Sequence, residues 1–89
     1  MAEISRQTAL WLSDRRAIAF SVEVDGREIP CFVGTPVLAK GSGMEIRRSS
    51  DAMRAFHTLK LRFLPALETR IRAGASGEVE VLESDLPPA

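Results

Sequence analysis

The chain is poor in the residues that most often carry chemistry. It holds one cysteine, one histidine, one tryptophan and no tyrosine in 89 residues. A single thiol closes no internal disulfide, which fits a reducing compartment. One cysteine and one histidine fall short of the three or four ligands that a zinc site needs. No run approaches the ~20 apolar residues of a membrane span. The opening Met-Ala-Glu-Ile-Ser-Arg lacks the basic stretch and apolar run of a secretory leader. The expectation is a cytoplasmic protein without membrane contact or cofactor. Charge of one sign is not in excess either: 12 Lys/Arg stand against 12 Asp/Glu, whereas nonspecific polyanion binders are usually basic overall. Gly41-Ser42-Gly43 has neither the lysine nor the strand-to-helix setting of a phosphate loop.

What is present is a foldable pattern. An apolar fraction of 45% is that of a globular chain, and the length suits one domain with one core. In Ala17–Val24 the large apolar residues 18, 20, 22 and 24 alternate with other positions, which predicts a strand with one buried face. Asp25-Gly26 tolerates the positive φ angles of a type I′ turn, and Glu28–Val33 makes the return strand. Counting back from a two-residue loop pairs Val24 with Arg27, Val22 with Ile29, Phe20 with Cys31 and Ile18 with Val33 on one face. The other face pairs Glu23 with Glu28, Ser21 with Pro30 and Ala19 with Phe32. Glu23 opposite Glu28 is mildly unfavourable and indicates an open solvent face or a missing basic partner. Pro30 falls in a pair whose N–H groups point outward, so the second strand is expected at an edge, with any third strand beside the first.

Thr35-Pro36 reads as an N-cap and first helical residue, with about one turn before Gly41-Ser42-Gly43. A long helix then starts at Ser49, Ser50 or Asp51 and ends at Gly74, with apolar positions 53, 56, 59, 63, 64, 67 and 71 at helical spacing. Pro65 predicts a kink or a division into two tandem helices. Gly77–Glu83 alternates as a last strand, and Leu86-Pro-Pro-Ala is a frayed end. Positions 4, 8, 11 and 12 hint at a short helix over residues 3–12.

Few residues are candidates for chemistry. Cys31, opposite Phe20 on the buried face, is a core residue with a raised pKa. A dyad of Cys31 with His57 is not required by any spacing. The acids 78, 80, 83 and 85 read as a solvated strand face and tail. Residues 44–73 carry seven basic side chains against three acids. These candidate polyanion contacts are Arg47, Arg48, Arg54, Lys60, Arg62, Arg70 and Arg72. They are expected as a solvated helix face that also meets acids of the last strand, because Phe56 and Phe63 belong to the apolar stripe and not to a base-stacking platform.

With "AIAFSVEVDGREIPC" (17–31), a small helix holding Leu38, "AFHTLKLRFLPALETRIRAG" (55–74) and "GEVEVLESDL" (77–86), the chain resembles the small bacterial family catalogued as domain of unknown function 1488. The resemblance implies a compact α+β domain of the bacterial cytoplasm and carries over no activity, ligand or catalytic residue.

The expected architecture is α+β in two layers. A three-stranded antiparallel sheet, order 2-1-3 with an N-terminal hairpin, lies against a long kinked helix. Residues 1–89 form one domain, with 1–15 and 84–89 the least ordered. The expected function is a non-enzymatic interaction or accessory module, a homodimer through the long helix. The alternatives are weak nucleic-acid binding through residues 47–72 and a thiol-dependent enzyme using Cys31 and His57.

Overall fold

The hairpin is where local chemistry leaves least choice. In the computed structural model, which describes residues 3–4, 9–75 and 77–86, β3 (Ala17–Val24) and β4 (Arg27–Gly34) pair antiparallel in the register counted from the sequence. Asp25 and Gly26 have φ of 53° and 80°, the two positive values of a type I′ turn. Gly26→Val is therefore expected to lower stability by about 1–2 kcal/mol, because a β-branched residue is poorly tolerated in the left-handed region. A thermal melt checks this, and an unchanged midpoint would contradict the turn type.

Among the described residues the sheet has five strands and is mixed, a correction to the three-stranded antiparallel expectation. β1 (Glu3–Ile4) and β2 (Leu10–Leu12) both pair antiparallel with β3, on the edge away from β4. The described part of the segment expected as a short helix is thus extended; residues 5–8 lie outside the described residues. β5 (Val79–Glu80) runs parallel to β4, with Val79 beside Cys31 and Glu80 beside Phe32. It still runs opposite to β3, but its neighbour is β4, so the order 2-1-3 is wrong.

Pro30 explains where β5 begins. The outward-pointing residues of β4 are 28, 30 and 32, and of the last two only Phe32 has an N–H to offer a neighbour. The Phe32 carbonyl accepts from the Val81 N–H at 2.8 Å, and extending the register backward would set Glu78 beside Pro30. The proline blocks one level of the edge, not the edge.

Parallel neighbours need a crossover, supplied by α1 (Thr35–Ser42) and α2 (Ser49–Arg72). The cap of α1 is Gly34, not Thr35: the Thr35 N–H donates to the Arg16 carbonyl at 3.0 Å, which continues the hairpin ladder into the helix start. α1 runs through Gly41, two turns instead of one. A Cβ there would lie 2.7 Å from Leu86 Cδ1 and 2.8 Å from Leu59 Cδ1, so the absent side chain lets α1 close on α2. Gly43, at φ 71°, ends the helix with its N–H on the Ala39 carbonyl.

At the start of α2 the Asp51 carboxylate accepts from the backbone N–H groups of Arg47 and Arg48, at 3.1 Å each. These bonds lower its pKa. α2 continues unbroken through Pro65, so it is one helix and not two in tandem. Pro65 and Leu61 both face water, where solvent can serve the carbonyl that proline leaves without a donor. The buried stripe is 52, 55, 56, 59, 63, 67 and 71, with Met53 and Leu64 only half-buried. Alanines 52 and 55 are fully buried in that stripe.

Both helices lie on one side of the sheet. Leu38 of α1 and the α2 stripe share a single core with Ile18, Phe20, Val22, Val24, Cys31 and Val33. At its centre the ring of Phe20 lies 5.0 Å from Phe56 and 5.7 Å from Phe63. Beyond β5, residues 83–85 form a 3-10 turn, ordered because the Asp85 carboxylate accepts from the Leu82 N–H and from Arg70. Of the end expected to fray, 86–89, Leu86 instead packs against the core and its N–H donates to the Glu83 carbonyl at 3.1 Å, while residues 87–89 lie outside the described residues.

Candidate functional site

Cys31 lies on the core face of β4 with 1% of its surface exposed. Its Sγ donates to the Ile29 carbonyl at 3.5 Å. Burial pushes the thiol pKa up to about 11, an effect that Arg70 opposes and Glu78 reinforces. His57 projects from α2 into solvent, with its Nδ1 3.1 Å from Lys60 Nζ and its ring edge-on to Phe56. The fold does not bring thiol and imidazole together. Among the described residues no three His, Cys, Asp or Glu gather to hold a metal ion, and no helix is long and apolar enough to cross a membrane.

Native protein should consequently react with a disulfide reagent far more slowly than denatured protein; rapid stoichiometric labelling of the folded chain would contradict the burial. The raised pKa has a definite sign. The folded thiol holds its proton where an unfolded one has lost it, so this contribution is complete below the unfolded value of ~8.5 and is lost as pH rises through about 11. Cys31→Ala should flatten that part of an alkaline stability profile.

The seven basic side chains do not form one surface. Arg70 donates to the Glu80 carbonyl and to Asp85, fastening the β5 segment to α2. Arg72 grips Asp25 with two bonds, of 2.6 and 3.1 Å, and also holds Glu68 at 3.0 Å. The Arg72 contact holds the Asp25 carboxyl below its ordinary pKa and ties the hairpin turn to the end of α2. Arg47 pairs with Glu45 at 3.0 Å. Arg48, Arg54 and Arg62 are exposed, Lys60 is half-buried beside His57, and none of these four has a carboxylate partner among the described residues. Of the acids in the last segment, Asp85 meets the basic helix, whereas Glu78 and Glu83 bind Arg15 and Lys40 outside it.

The strongest surface feature is the side of the sheet opposite the helices. The register aligns its outward residues in rows. Leu12, Ala17 and Gly34 form one row, Leu10, Ala19, Phe32 and Glu80 the next, and Ser21 and Pro30 a third. Glu3, Glu23 and Glu28 form the fourth, so the face grades from apolar to acidic. Leu10 is 60% exposed, while Ala19 and Phe32 are half-buried. The Arg15 guanidinium stacks 4.2 Å from the Phe32 ring centre and binds Glu78 at 2.8 and 3.0 Å, raising its own pKa and lowering that of Glu78.

Glu23 opposite Glu28 was readable from the turn. Glu3 and Leu10 were not, because β1 and β2 are too short to show a period. The signal that could have found them is the bare edge of β3, which needs a pairing partner.

A family model described as "Protein of unknown function (DUF1488)" matches residues 6–81. The chain belongs to the DUF1488 family. Its fold is similar to a crystal structure, at 1.60 Å resolution, of a DUF1488 protein of unknown function from Shewanella loihica PV-4. The two share 23% identity over 90% of each chain, with a TM-score of 0.76. No functionally curated protein matches. The similarity thus supports the mixed-sheet α+β architecture of this DUF1488 chain, and its surface must be interpreted from its own residues.

Proposed function

We propose that this DUF1488 protein is a non-enzymatic accessory module of the cytoplasm that acts by binding through its open sheet face. One observation carries this: Leu10, 60% exposed, stands on that face beside half-buried Ala19 and Phe32 and two rows from three aligned glutamates. An apolar patch rimmed by charge is what a binding surface presents. The outward side of α2 suits a homodimer less well. Leu61 is 72% exposed there, but Arg54, His57 and Arg62 surround it, and a second copy would bring cations together. A photo-crosslinking residue at position 10, expressed in cells, should give a cross-linked product; the same residue at position 61 should not. Products from 61 alone would contradict the proposal.

Nucleic-acid binding is expected to be weak and salt-sensitive, since Arg70 and Arg72 are committed to Asp85, Asp25 and Glu68. A mobility-shift series across salt concentrations checks this. Sub-micromolar affinity at physiological salt would instead make the basic helix the functional surface.

A further inference from the structure

We propose that residues 77–86 form a strap, clasped by charge, that opens as a unit while the rest of the domain stays folded, uncovering Cys31 and the outer edge of β4. This stands independently of what occupies the sheet face. The segment carries four acids, at 78, 80, 83 and 85, and no base. Among the described residues its three ion pairs run to three separate elements. Glu78 binds Arg15 in the loop before β3, Glu83 binds Lys40 of α1, and Asp85 binds Arg70 of α2. Arg70 also donates to the Glu80 carbonyl at 2.9 Å. In every one of these contacts the cation belongs to the body of the domain and the acceptor to the strap.

The apolar attachment is narrower. Val79 and Val81 are buried and Leu86 is partly so, whereas the rings of Phe20, Phe56 and Phe63 pack on one another without any residue of the segment. The chain enters the strap through Gly74 and Gly77, at φ 110° and 69°, backbone states in which it turns away from α2 without disturbing that helix. The Arg15–Glu78 and Lys40–Glu83 pairs are exposed on both sides, so salt screens them. A segment with few buried apolar side chains and exposed ionic links opens ahead of the core. Cys31 stands beside Val79 across the ladder, and its thiol feels both Glu78 and Arg70, so it lies directly under the strap. Opening also frees the Phe32 carbonyl from the Val81 N–H and takes Glu78 from Arg15, the side chain that lies on Phe32. The open state thus presents a thiol and a strand edge that the closed state hides.

Slow labelling of Cys31 by a neutral disulfide reagent, with amide exchange at Val81 as a second reporter, reads the opening in the full chain. Both rates should depend only weakly on low urea, far less than amide exchange at Phe56 and Phe63, which awaits global unfolding. Molar sodium chloride should speed labelling by about threefold or more through screening of the clasp. Arg15→Gln and Lys40→Gln should each raise the rate about two- to fivefold, and Arg70→Gln by at least about tenfold. Arg47→Gln removes an exposed pair outside the strap and should leave the rate unchanged. If Arg70→Gln does not fold, the two exposed-pair variants decide. Labelling and Val81 exchange that follow the full urea dependence of global unfolding overturn the proposal, because the strap then opens only with the whole domain. Rates indifferent to salt and to both exposed-pair variants overturn it as well, because charge then does not hold the strap.

Discussion

Phe20→Ala is expected to lower stability by about 3–5 kcal/mol, the range for deleting a buried phenylalanine side chain. Phe20 is the ring through which the sheet meets α2, packed on Phe56 and Phe63, which are themselves 6.0 Å apart. All three are almost wholly buried. Removing the middle ring opens a cavity that no neighbour can readily fill, because α2 is held at its middle, where Gly41 sits against Leu59, and at its end, where Arg72 grips Asp25. A small domain has about 5–15 kcal/mol in total, so the variant should sit near the edge of folding, with a melting temperature lowered by roughly 15 °C or more. Urea denaturation measures the loss directly. A loss below about 1 kcal/mol would mean that α2 does not lie across Phe20 as described.

Arg70→Ala should have the second largest effect. Asp85 is only 5% exposed, and its carboxylate is satisfied by Arg70 and by the Leu82 N–H at 2.7 Å. Without the guanidinium a buried negative charge keeps one backbone partner, and the Glu80 carbonyl loses its donor. Breaking a buried pair costs ~3–5 kcal/mol; the Arg70 side chain is 33% exposed, so water can reach the site and about 2–3 kcal/mol is the expectation. The double variant Arg70→Met/Asp85→Leu should lose less than Arg70→Ala alone, because it strands no charge. Equal losses would show that the ion pair matters only as packing. Hydrogen exchange should rise first at Val81, whose N–H holds β5 to Phe32.

The candidate surface was half legible in the sequence. The pairs Glu23/Glu28 and Ala19/Phe32 follow from the Asp-Gly turn, so two strands of the open face and its polarity could be written down in advance. The acidic row became three glutamates, and the apolar row acquired Leu10, only when residues 3–4 and 10–12 paired with the far edge of β3. Arg15 reached the same face through a loop whose residue Arg16 has a φ of 48°, a conformation that arginine does not announce.

By itself the sequence determined what is local: the turn, the register of eight-residue partners, the burial of Cys31 and the positions 56, 59, 63, 67 and 71 of the stripe on the long helix, though not its alanines 52 and 55. In each, a two-residue loop or a fixed period of 2.0 or 3.6 sets the outcome within a few neighbours. Tertiary structure alone decided the neighbours of distant segments. β5 is two residues long and carries no period strong enough to choose an edge. It lies beside β4 because the α1–α2 crossover returns the chain there, because Phe32 still offers outward hydrogen bonds where Pro30 cannot, and because the other edge is taken by β1 and β2. Edge choice is a competition between segments far apart in the chain, settled by which backbone groups remain unpaired once the core has closed.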